Sequence, residues 1–176
     1  FLIEFADQKD ARFPYAPAGP AHNTIPEPYR AVDNTTYLVD NFDRQHFLDM
    51  FFSEGGESFK GFYEELSSGE YTVNGDVSDW VQVPYNEASY GQTESNQDMT
   101  RFIGDSATAW FNAQKAAGKS DADIKAYLQR FDVWDRFDFD GDGDFSEPDG
   151  YIDHFQAIHA GEGEEAGADA PFVPTN

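Results

Sequence analysis

The 176 residues carry 34 Asp and Glu against 11 Lys and Arg, a formal charge of −23 at pH 7, which argues against nucleic acid or an anionic membrane surface as a partner. With 39% hydrophobic residues, among them 17 Phe, 9 Tyr and 3 Trp, the chain has material for one domain with a core of its own. Cysteine is absent, so disulfide and thiol chemistry are excluded, and no apolar run reaches the roughly eighteen residues of a membrane span.

The chain opens on Phe1-Leu2-Ile3-Glu4-Phe5, which reads as a buried strand. No signal peptide precedes it, and a start inside a strand implies an N-terminus made by cleavage. A long passage with Pro14, Pro17, Pro20, Pro26 and Pro28 follows, where neither helix nor central strand is possible. Asp7 and Asp10 offer oxygens to a second cation, or simply form a polar turn. Asp43 is the expected N-cap of a helix through Phe51, with Phe47, Met50 and Phe51 on its apolar face. A second helix starts near Ser58, with Phe59, Phe62, Tyr63 and Leu66 at i, i+3, i+4 and i+7, and stops at Gly69. Glu70–Gly75 and Ser78–Pro84 are short strand candidates, and residues 85–94 read as loop.

The longest helix is expected from Ser95 or Asn96 to Gly118, burying Met99, Phe102, Ile103, Ala107, Trp110 and Phe111 as core. Ser120-Asp121-Ala122-Asp123 resembles a capping box, and Ile124, Tyr127, Leu128 and Phe131 form one face of the helix it starts. Next comes Asp138 to Asp149, with acidic residues at relative positions 1, 3, 5, 7 and 12 (Asp138, Asp140, Asp142, Asp144, Asp149) and Gly143 at position 6. That is the spacing of an EF-hand-type calcium loop, since a hard cation takes six to eight oxygens and carboxylates at alternate residues can wrap it. Phe145, at position 8, is the expected apolar anchor. Position 12 usually carries Glu; Asp149 is one methylene shorter, which leaves Asp153 as a competing terminal ligand. Tyr151–His159 reads as a strand, so the order is helix, calcium loop, strand: a structural clamp rather than a sensor, which would need a second hand and more than two Met. Residues 162–176 are expected to form a loop or tail.

Catalytic motifs are missing. His22, His46, His154 and His159 are the only histidines, and His154 and His159, five apart on a strand, point to opposite faces. No H-E-x-x-H, G-x-S-x-G or phosphate-binding loop occurs.

Three stretches carry a resemblance. Phe62 to Tyr85 (F-Y-x-E-x-S-S-G-x-Y-x-V-x-G-x-V-x-D-W-V-x-V-P-Y), Trp134 to His154 (W-D-x-x-D-x-D-G-D-G-x-F-x-E-P-D-G-Y-I-D-H) and His159 to Gly167 (H-A-G-E-G-E-E-A-G) resemble the immune inhibitor A family of secreted bacterial zinc metallopeptidases. The resemblance implies an α+β fold: the N-terminal part of a zincin-like catalytic domain over 1–161, with a mixed sheet, about four helices and the calcium loop. Residues 162–176 would be a cleavage region. It also implies secretion, protein or peptide substrates, and a zinc that polarises the scissile carbonyl and a water beside a Glu base. The H-E-x-x-H helix lies downstream of the H-A-G segment in that family, and the sequence reaches Asn176 before one. The zinc would therefore sit on a complementary C-terminal fragment, through nicking or truncation. In that setting Tyr151–His159 is either an edge strand that accepts a peptide or a core strand, and His159 either reaches the cleft or is structural. The competing reading is a non-enzymatic extracellular calcium-binding or adhesion module.

Overall fold

The computed structural model describes residues 1–9, 11–91 and 96–161. The elements run β1 (Leu2–Phe5), α1 (Arg44–Phe52), α2 (Phe59–Leu66), β2 (Trp80–Val83), α3 (Ala88–Gly91), α4 (Asn96–Ala116), α5 (Asp121–Leu128) with a 3-10 turn (Gln129–Phe131), and β3 (Ile158–His159). The fold is α+β, with five α-helices about a three-stranded sheet of order β2-β1-β3. Both pairings are parallel, so the expected mixed sheet is corrected to a parallel one among the described residues.

β1 is central because it is apolar on both faces. Ile3 and Phe5 join Val81 and Val83 against Tyr90 of α3, Phe102 and Trp110 of α4, and Ile124 of α5. Leu2 points the other way, with Phe47 of α1, Val77 and the partly buried Trp80 and Phe52. Leu2 and Ile3 are fully buried, as a parallel strand covered on two sides requires.

Among its described residues the long connection after β1 has no helix or strand, and side chains pin it. The Asn86 amide donates to Pro17 O at 2.7 Å, Arg12 reaches Asp98 at 3.4 Å, and Phe5 N donates to Pro20 O at 2.9 Å where β3 has already left the sheet. Asp10 lies outside the described residues.

Helix starts follow the cap chemistry. Asp43 accepts from His46 N, Ser58 from Gly61 N, and Ser120 with Asp123 forms a reciprocal capping box. Other expectations are corrected. Glu70–Gly75 is not a strand: Ser67 Oγ accepts from Tyr71 N and donates to Tyr71 O, and Glu64 takes the Thr72 hydroxyl, so the segment closes locally. Within 85–94, Ala88–Gly91 is a helical turn. Only Ile158–His159 of the expected 151–159 strand is β, because its partner β1 begins at Leu2. On α4 the line Asp98, Phe102, Ser106, Trp110 is buried, whereas Met99, Ile103, Ala107 and Phe111 are exposed. On α2 no residue is buried.

Two measurements check this packing. Gly161, two residues past β3, has φ +96°, and a Cβ there would lie 2.5 Å from Glu87 Oε1 and from Pro20 Cγ. Gly161→Ala is expected to lower stability by roughly 1–3 kcal/mol in urea unfolding, from backbone strain plus that collision. Tyr127 donates to Asp76 Oδ2 at 3.0 Å; burial first, then the Asp76 charge, pushes its phenol up from 10.0 to about 12. The folded state favours the protonated phenol, so this stabilisation is complete below pH 10 and fades as pH rises through about 12. Tyr127→Phe is expected to flatten, but not abolish, the alkaline fall in stability, because Tyr90 is also shifted upward by burial and its bond to Asp105.

Candidate metal centre

The acidic loop is closed at its base before any ion is considered. α5 and the 3-10 turn deliver Phe131, whose carbonyl accepts from Asp153 N at 2.8 Å, and Asp153 Oδ2 accepts from Val133 N at 3.0 Å. Buried Asp132 accepts from Asp149 N and Gly150 N at 3.0 and 3.1 Å. Two carboxylates thus staple 131–133 to 149–153 and set where the chain leaves for β3.

Inside the loop, side chains order the backbone turn by turn. Asp138 Oδ1 accepts from Gly143 N at 3.1 Å, Asp140 Oδ1 from Asp142 N at 3.2 Å, Asp142 Oδ1 from Asp144 N at 2.7 Å and Asp144 Oδ1 from Ser146 N at 2.9 Å. Asp149 Oδ1 accepts from Tyr151 N at 2.8 Å. Gly143, at the sixth position, has φ +85°, a backbone state that costs a side-chain-bearing residue energy.

Carboxylate oxygens of Asp138, Asp140 and Asp142 lie within 4.8 Å of one another, and so do those of Asp135, Asp140 and Glu147. Three of the six expected residues therefore converge. Asp144 and Asp149 are in neither group, and Asp153 is turned to the Val133 amide. Phe145, the expected anchor, is 53% exposed and joins neither core cluster, and the loop is held at its base instead.

Asp135 and Glu147 were missed by the spacing rule. Asp135 precedes the loop and is 3% exposed, its two oxygens accepting from Phe137 N at 3.2 Å and Phe139 N at 2.7 Å. The signal for it was the acid at the start of the W-D-x-x-D run, with its oxygens free to cap the turn that follows. The Glu147 carboxyl is pushed above its usual range, chiefly by the Asp142 charge and then by burial and by Asp140, Asp144 and Asp135. The donor set is oxygen throughout, which suits a hard divalent cation.

None of the four histidines belongs to either acidic group. His22 Nδ1 sits 2.7 Å from Glu4 Oε2, its ring stacked on Trp80 at 4.8 Å. His159 lies 3.9 Å from Glu87 Oε1 and packs edge-on to Phe5 and Phe102. His46 is ringed by Tyr37, Phe42 and Phe47, and His154 is exposed. Among the described residues no three-ligand group contains a histidine, so a peptidase zinc does not fit on this part of the molecule.

A family model described as the immune inhibitor A peptidase M6 catalytic domain matches residues 1–171. The chain belongs to that peptidase family. Immune inhibitor A of Bacillus thuringiensis subsp. alesti is 38% identical over 170 residues, an alignment spanning 94% of this chain and 22% of that protein. The pre-pro-metalloprotease PrtV of Vibrio cholerae serotype O1 (strain M66-2) is 34% identical over 146 residues, spanning 77% of this chain and 15% of that protein. The chain thus spans less than a quarter of the length of these relatives. No helix among the described residues is long and apolar enough to cross a membrane.

For this member of the immune inhibitor A family, Asp135→Ala would strand the Phe137 and Phe139 amides. A loss of about 1–3 kcal/mol in chemical denaturation is expected. Unchanged stability would mean water replaces the carboxylate freely.

Proposed function

We propose that the chain is the N-terminal part, residues 1–161 with a cleavage-prone 162–176, of a secreted, calcium-stabilised zinc endopeptidase. The observation that carries this reading is the match of the catalytic-domain family model across 1–171, on a chain whose described residues gather carboxylates but no histidine ligand set. The catalytic zinc belongs to a downstream H-E-x-x-H segment, on a complementary fragment or a longer polypeptide, and proteins or peptides are the substrates. This chain's part is to supply the supporting sheet and the cation-held loop that leads into β3. Residues 162–176 lie outside the described residues, so their part in this reading rests on sequence alone.

Calcium would be held first by Asp138, Asp140 and Asp142, with Asp144 and Asp149 from the loop pattern and Asp135 and Glu147 from their proximity. Asp153 remains the competing terminal ligand, with Oδ2 accepting from the Val133 amide. When bound, the ion neutralises a like-charged cluster, which raises the stability of the loop and of the β3 register it controls.

Calcium is expected to raise the melting temperature of the chain, and Asp140→Ala with Asp142→Ala to remove that rise. Identical melting with calcium and with a chelator would refute the structural role. The isolated chain is expected to bind no stoichiometric zinc and to cleave no peptide, with both properties appearing once the H-E-x-x-H segment is supplied; cleavage by the chain alone would overturn the assignment.

A further inference from the structure

α2 carries the spacing of a buried helix without the burial. Phe59, Phe62 and Leu66 are 43%, 61% and 69% exposed, and Met50 of α1 beside them is 38% exposed. Soluble proteins rarely leave so continuous an apolar strip uncovered unless something docks there.

Phe59, Phe62 and Met50 of the strip line a groove of about 540 Å³ between α1 and α2 together with Phe51, Glu57 and Glu65, and Leu66 continues the strip past its lining. Its floor is already ordered. Phe51 and Phe59 meet edge-on at 5.8 Å, Phe59 and Tyr63 at 4.8 Å, and Phe62 and Tyr63 at 5.4 Å. A Cβ on Gly61 would lie 2.5 Å from Gly56 O, so the turn before α2 packs directly on the helix and fixes the groove's end. Little side-chain ordering is left for an occupant to impose.

Charge narrows the choice of occupant. Lys60 bridges Glu54 at 2.8 Å and Glu64 at 3.9 Å, whereas the Glu57 and Glu65 carboxylates have no ion-pair partner among the described residues. A second copy would bring its own unpaired carboxylates and a charge of −23 to the same place, and an anionic lipid surface would be repelled likewise. The fitting partner is apolar in the middle and basic at its edges. Relatives carry more than four-fifths or three-quarters of their length outside the aligned region, the shares covered being 15% and 22%.

We infer that the α1–α2 groove seats a segment of the downstream part of the same peptidase, apolar at its centre and bearing Lys or Arg opposite Glu57 and Glu65. This rests on the reading of the chain as part of a larger catalytic domain.

The test compares the 176-residue chain with the longest natural polypeptide containing it, by hydrogen exchange and by peptidase assay. The α2 amides are expected to exchange at least tenfold more slowly in the longer protein. Phe62→Ser with Leu66→Ser in the longer protein is expected to return α2 to the rate of the isolated chain, while the same pair in the isolated chain leaves its melting temperature within about a degree. Equal α2 exchange in the two wild-type proteins would overturn the inference, even if the longer protein is an active peptidase. Protection of α2 in an inactive longer protein would support the groove's occupant and count against the peptidase reading. Binding of a Lys/Leu model peptide to the longer protein at this groove, blocked by Glu57→Gln with Glu65→Gln, would reassign it to an outside ligand and overturn the inference.

Discussion

The structure depends on β1 finding two partners from remote parts of the chain. Leu2–Phe5 pairs with Trp80–Val83 on one side and, through Leu2 and Ile3, with Ile158–His159 on the other, both in parallel. Parallel neighbours cannot be joined by a tight turn, so every connection must cross a face of the sheet. That topological demand places α1 against Leu2 and Trp80, and α3, α4 and α5 against Ile3 and Phe5. It also makes the position of β3 depend on what precedes it, because only two residues pair there. The carboxylate staples of Asp132 and Asp153 hold the chain just before that strand.

The acidic loop sets two electrostatic effects against each other. Carboxylates within 4.8 Å of one another repel by roughly 1 kcal/mol per pair in water and about 3 kcal/mol at a dielectric of 20. Each oxygen that accepts a backbone N–H recovers about 1 kcal/mol or somewhat more. Asp138, Asp140, Asp142 and Asp144 each accept one such bond, and the upward push on Glu147 marks the repulsion that remains. The loop is therefore ordered by its own amides while like-charge repulsion among its carboxylates persists.

Local chemistry was legible in the sequence. Asp43, Ser58 and Ser120 cap helices because a cap depends on a side chain and an amide three residues away. The alternate aspartates and Gly143 were likewise readable as a turn-by-turn pattern, and Asp138, Asp140 and Asp142 do converge. What spacing cannot reveal is which apolar positions meet a partner. On α4 the sheet takes the line through Phe102 and Trp110, and Ile103 and Phe111, equally apolar and one residue along, face outward. The Glu70–Gly75 alternation suits a strand, yet Ser67 and Glu64 satisfy it locally. Asp135 was overlooked because its role depends on the fold bringing Glu147 back beside it, twelve residues on.

The carboxyl ends of parallel strands are where open sheets usually receive ligands, and here that space is occupied by the chain itself. Gly19 N donates to Ala6 O at 3.1 Å, Glu87 N to Gly19 O at 3.0 Å, and Pro20 takes the β1 edge that β3 vacates. Of the two histidines nearest these strand ends, His22 is held by Glu4 at 2.7 Å, whereas His159 Nδ1 lies 3.1 Å from Ala160 O with Glu87 Oε1 3.9 Å away, one on each face of β1. A histidine so paired has its ring orientation fixed by its neighbour, which suits a packing role as well as a ligand role. The backbone of Gly19 and Pro20 thus lies along this end of β1. Among the described residues no histidine joins a three-ligand group at this end of the sheet.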